Sequence, residues 1–194
     1  EKDLASLDRA LSAAPEGVLL RQGEKTLVAR IREGAAYGPR EEDLPWRYPQ
    51  QLSRALRDFL NLVERQVPPP PPGQPLPLWQ LPVRVEYLSL QYLARAYLGG
   101  LETAREQPRD YLGQDESVLV PLIDRRIALL VAQSANPAGL KKLENRWEYL
   151  SQALRDLNSK SSALVSASGR PWAPIIVDRH ARALSESLMR LSAE

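Results

Sequence analysis

Leu140-Lys141-Lys142-Leu143-Glu144-Asn145-Arg146-Trp147-Glu148-Tyr149-Leu150-Ser151-Gln152-Ala153-Leu154-Arg155-Asp156-Leu157 decides the fold class. Its apolar side chains Leu140, Leu143, Trp147, Leu150, Leu154 and Leu157 alternate steps of three and four, and Leu164 lies one heptad further on. At 3.6 residues per turn, only a helix brings such positions onto one side. The seven-residue repeat is that of a helix packed lengthwise on others. The start is predicted near Ala138, after Asn136-Pro137, because proline near the first turn loses an N–H that has no helical partner there. The end is predicted before Gly169-Arg170-Pro171.

The same pattern recurs on both sides. Val177, Ala181, Leu184, Leu188 and Leu191 are spaced four, three, four and three. Pro82 to about Glu106 carries Val85, Leu88, Tyr92 and Ala96, flanked by Leu93, Tyr97 and Leu101, a wide apolar face that predicts deep burial. Ser117 to about Gln133 carries Leu119, Ile123, Ile127 and Leu130. Residues 83–192 therefore read as four amphipathic helices with short connections, which favour antiparallel neighbours. Composition agrees: 33 Leu stand against 18 Val, Ile and Thr together, and leucine suits helices where β-branched residues suit strands. The expected class is all-α, an antiparallel four-helix bundle over residues 83–192 with an N-terminal helical subdomain and a Pro-rich strap.

The expected domains are a helical region at 1–66, a Pro-rich linker or strap at 67–82 and the bundle at 83–194. In the first, Leu4, Leu7 and Leu11 mark a short helix ended by Pro15-Glu16-Gly17. Leu27, Val28 and Ile31 suggest a second, ended near Gly34 or Gly38-Pro39. Leu52, Leu56, Phe59, Leu60 and Val63 form one stripe of a third, over Gln50 to about Gln66. The strap holds the run Pro68 to Pro72, which cannot continue a helix and favours extended polyproline II. It reads either as a ligand for a groove that takes Pro-rich strands or as a spacer laid over the bundle. Leu76, Leu78 and Trp79 favour the second, since exposed apolar side chains at that density are costly.

Charge and composition exclude several function classes. Lys and Arg number 26 against 24 Asp and Glu, a net charge of +2, which lacks the excess of a dedicated nucleic-acid binder. No apolar run approaches the roughly 20 residues that span a bilayer. There is no Cys and one His, so no thiolate nucleophile, disulfide, His-built metal site or catalytic triad is expected. Phosphate loops, dinucleotide fingerprints, zinc-protease and nucleophile-elbow motifs are absent. No catalytic residue, cofactor or metal ligand is assigned, and the chain reads as non-enzymatic. It opens on Glu1 rather than Met, which carries the expectation of a mature form with a secretory signal or membrane anchor removed from in front. The expected location is periplasmic or otherwise extracytoplasmic, with the cytoplasm as the alternative.

Arg84, Tyr87, Tyr92, Arg95 and Tyr97 share one predicted helix, and Arg146, Trp147 and Tyr149 another. Such side chains near one end of a bundle suit a small anion or planar ligand between helices. Arg95, Arg146 and Trp147 are the candidate ligand-binding residues; core and interface packing is the other reading of these aromatics.

The stretch Glu86-Tyr87-Leu88-Ser89-Leu90-Gln91-Tyr92-Leu93-Ala94-Arg95-Ala96-Tyr97-Leu98 resembles the first helix of the extracytoplasmic sensory module of type IV pilus-type chemoreceptors and nitrate-sensor kinases. Arg182-Ala183-Leu184-Ser185-Glu186-Ser187-Leu188 is similar to it too, and Trp147 resembles the tryptophan of that module's third helix. Glu86 stands where the family carries Arg. The resemblance spans residues 83–192 and implies a four-helix bundle, an Arg-dependent anion site and a sensory or ligand-binding role in a bacterial envelope protein. The alternative, resting on the heptad seams and the strap, is a scaffold or adaptor that binds a protein partner in an envelope complex. A homodimer is open under both, because heptad seams close within one chain or between two.

Overall fold

A computed structural model describes residues 2–14, 17–38, 43–45, 47–68, 71, 73–98, 116–156 and 174–193. Every long element among them is a helix: α1 (Lys2–Ser12), α2 (Gly17–Ala36), α3 (Tyr48–Glu64), α4 (Leu81–Leu98), α5 (Glu116–Gln133), α6 (Pro137–Asp156) and α7 (Pro174–Ala193), with a 3-10 turn at Leu78–Gln80. The protein is all-α. Two compact units divide the chain, one of Glu1–Pro69 and one containing Pro70–Gly99 and Gln114–Glu194.

In the first unit α2 packs on α3 and α1 on α2. Leu11, Leu20, Leu27, Ala55 and Phe59 form its buried cluster. The sequence marks α2 only around Leu27, but the helix begins ten residues earlier, at Gly17. Leu20, Glu24 and Leu27 are its buried positions; one of the three is charged, which hides the stripe from an apolar count. Two of its three glycines, Gly23 and Gly34, are close-packing points. A Cβ on Gly23 would lie 2.8 Å from Leu62 Cδ1, and one on Gly34 would lie 1.8 Å from the Tyr48 hydroxyl. Tyr48 thus packs on the last turns of α2, where its hydroxyl donates to Arg30 O at 2.8 Å, and Tyr37 meets its ring edge-on at 5.2 Å.

The second unit starts with the strap. Gln74 N–H closes a turn onto Pro71 O at 3.0 Å, with Gly73 at φ +83°, a backbone that side chains disfavour. The strap is pinned to α5 by Arg126, whose Nε donates to Leu76 O at 2.7 Å. Leu76 and Leu78 are half-buried, while Trp79 is exposed. The anchors are therefore the Leu76 carbonyl and the two leucines; the expectation that the indole packs down is met only in part, because 44% of Trp79 is exposed.

α4 lies chiefly on α7, α7 also on α6, and α6 on α5, with smaller contacts from α4 to α5 and α6. The interior is built by the seams read from the sequence. Leu81, Val85, Leu88 and Tyr92 of α4, Leu119 and Ile123 of α5, Leu150 and Leu154 of α6, and Val177, Ala181, Leu184 and Leu188 of α7 have no exposed surface. α6 starts where the sequence puts it: Asn136 Oδ1 accepts from Gly139 N–H at 3.0 Å, satisfying one of the free donors of the first turn. Leu157 and Leu164, the far end of its predicted seam, lie outside the described residues, as do the predicted residues of α4 beyond Leu98. None of the described helices is long and apolar enough to cross a membrane.

Candidate functional site

Polar side chains enter the second unit along three helix seams. On the α6–α7 seam, Arg146 donates from Nη1 to Ala183 O at 3.2 Å and to Ser187 Oγ at 3.3 Å. Ser187 Oγ in turn donates to Ala183 O at 2.7 Å. One turn on along α6, the Tyr149 ring stacks on His180 with centroids 4.3 Å apart and planes at 25°. The spacing makes this cluster: 146 and 149 share one face of α6, and 180, 183 and 187 share one face of α7. His180 is half-buried, and its Nδ1 is buried with no hydrogen-bond partner. Burial, and after it the Arg146 guanidinium, push the imidazole below its ordinary pKa of 6.5. Both favour the neutral ring, burial by removing water and Arg146 by like charge.

On the α5–α6 seam, Asp124 accepts from Trp147 Nε1 at 2.6 Å through one oxygen and pairs with Arg155 at 2.5 Å through the other. Trp147 is buried. On the α4–α7 seam, Glu86 is half-buried and faces Ser185, Arg182, Asp178 and Glu186. Burial foremost raises its carboxyl pKa above the ordinary value of 4.5, while a hydrogen bond from Ser185 and the charge of Arg182 work the other way. Ser185, on this seam, is buried, as is Ser89 of α4. Arg182 is held by Asp178 at 2.9 Å.

The sequence nominates Arg95, Arg146 and Trp147 as one pocket. Arg146 and Trp147 go to different neighbours, Arg146 to α7 and Trp147 to α5. Adjacent residues on a helix point about 100° apart, so they do not share a seam. The backbone of Arg95 lies in α4, and its side chain is outside the described part of the structure. What the structure adds to Arg146 is Tyr149, His180 and Ser187. Their sequence signal is only the i, i+3, i+7 spacing of 180, 183 and 187, which carries no chemistry until α6 is laid beside it. Tyr87, Tyr92 and Arg84 are buried within α4's packing, the structural reading of those aromatics. No group of three or more His, Cys, Asp and Glu able to hold a metal occurs among the described residues.

Compared with protein-family models, curated proteins and solved structures, the chain matches none.

Proposed function

We propose that the chain is a non-enzymatic helical ligand-binding module, of the sensory kind that works outside the cytoplasm in bacterial envelope proteins, and that a small anion docks on Arg146 at the α6–α7 seam. One observation carries the reading. Arg146 is a half-buried guanidinium whose hydrogen-bond partners, Ala183 O and Ser187 Oγ, are neutral. No ion pair to it occurs among the described residues, and its charge already disfavours protonation of His180 beside it. An anion would supply the missing countercharge and make charge-assisted hydrogen bonds, about twice as strong as neutral ones. Trp147, engaged with Asp124, is no part of this site. The resemblance of residues 83–192 to sensory modules supports the same class of role.

His180 reads out the test, because it is the chain's one histidine and gives a single imidazole signal in proton NMR. Nitrate or sulfate at constant ionic strength is expected to raise its titration midpoint relative to chloride. Arg146→Leu should raise the midpoint without anion and abolish the anion response. A midpoint that ignores both anions in the unsubstituted protein sinks the anion reading.

A scaffold or adaptor role is the second reading. Exposed apolar side chains on α4 and α5 favour it, notably Val83, Leu90, Val118 and Leu129.

A further inference from the structure

α5 carries two apolar stripes. Leu119, Ile123 and Ile127 face the interior. On another side of the helix, Val118, Leu122, Arg125 and Leu129 follow one another at steps of four, three and four. These four line an open groove of about 660 Å³ whose far wall is the strap, residues 73–76. Val118 is 48% and Leu129 40% exposed. Among the described residues no acidic side chain lines the groove, and the two charged ones that do are Arg125 and Arg126. Arg126 is committed to the strap through Leu76 O, which leaves Arg125 as the cation in the middle of the aliphatic stripe.

The same unit presents the counterpart. Trp79, Val83, Glu86 and Leu90 run through the 3-10 turn and α4 at the same steps of four, three and four. Trp79, Val83 and Leu90 are 44%, 42% and 45% exposed. The third position, Arg125 on α5, is Glu86 on α4, half-buried and accepting a hydrogen bond from Ser185 of its own chain, with Arg182 nearby. Both stripes cover twelve residues, eleven steps or about 16 Å of helix at 1.5 Å per residue. Five of the six apolar side chains are thus 40–48% exposed, Leu122 being the more buried one, and equal spacing is what lets two helices interlock side chains along a seam.

We propose that the α5 groove is occupied by α4 of a second copy of this chain, with Glu86 of one copy beside Arg125 of the other. Pairing in both directions at once closes a two-fold dimer, in which every apolar position of both stripes is covered. The Arg125–Glu86 pairs fix register and partner choice more than they add affinity. Two short stripes make a modest interface, so the dissociation constant should be on the order of micromolar. This inference is independent of the anion site.

Sedimentation velocity on the full 194-residue chain, over roughly 1 to 500 µM, tests it. Unsubstituted protein should pass from monomer to dimer. Arg125→Glu and Glu86→Arg should each stay monomeric, because each sets like charges against one another in both pairs. An equimolar mixture of the two should dimerise, because both pairs are then opposite in sign. Circular dichroism checks each variant's fold. Should Glu86→Arg disturb its packing on α7, Val83→Lys at an exposed position of the same stripe should likewise stay monomeric, because pairing would bury an unpaired charge in the apolar seam. A monomer at all concentrations overturns the proposal. So do single variants that dimerise undiminished, or a mixture that stays monomeric.

Discussion

Glu86 of α4 and His180 of α7 are half-buried titratable groups whose responses to acid oppose each other. For His180 the folded pKa is below 6.5. Between that value and 6.5 the unfolded chain holds a proton that the folded one does not, so stability falls as pH drops through the window. For Glu86 the folded pKa is above 4.5. Between 4.5 and that value the folded chain holds the extra proton, so stability rises as pH drops. Removing Glu86's limb should expose the other. At dilute monomeric concentration, Glu86→Gln is expected to be more stable than the unsubstituted protein at pH 7. The difference should shrink towards pH 4.5, and urea melts at several pH values measure it. A difference independent of pH would mean that Glu86 is not charged at a cost at pH 7. Arg146 was legible as a residue in the sequence, but its partners were not. Trp147 next to it in sequence is a quarter-turn away on the helix, and Tyr149 and His180 meet only when α6 and α7 are side by side.

The same contrast holds for elements. The interior faces of α4, α6 and α7 were legible because Leu, Val, Ala and aromatic side chains repeat at three and four without interruption. The first ten residues of α2 were not. Val18 and Leu19 there face water, a buried position is Glu24, and Gly17 and Gly23 look like stops. Gly34 shows why a glycine inside a helix can be required. Gly34→Ala would gain at most about 1 kcal/mol of helix propensity, less so near close to the helix end at Ala36. Against this, the new methyl meets the Tyr48 hydroxyl and expels it from Arg30 O. Overpacking costs about 1–3 kcal/mol and the lost hydrogen bond about 1 kcal/mol. The net expectation is a loss of about 1–3 kcal/mol, read from urea melts; a stabilised variant would show that the ring has room to move.

At the scale of the molecule, each unit has its own buried apolar side chains, and substitutions should act unit by unit. Leu150 has no exposed surface, so Leu150→Ala should cost about 2–5 kcal/mol through the cavity it leaves. Phe59, in the cluster with Leu11, Leu20, Leu27 and Ala55, should cost about 3–5 kcal/mol on truncation to Ala. The two share no buried neighbours, so the losses should add in the double variant. Native-state hydrogen exchange locates them: Phe59→Ala should speed exchange in α1–α3, and Leu150→Ala in α4–α7. Loss of protection in both sets from either change would mean that the units unfold as one.

The two-sided α5 also has a meaning for sequence drift. Selection for a folded, abundant protein acts on Leu119, Ile123 and Ile127 and is blind to Val118 and Leu129, whose surfaces are already wet. In a saturation library scored for abundance, polar residues should be tolerated at 118 and 129 and purged at 119, 123 and 127. Rescoring the library for self-association should bring 118, 125 and 129 under constraint, which would separate what keeps this helix folded from what keeps it apolar outside.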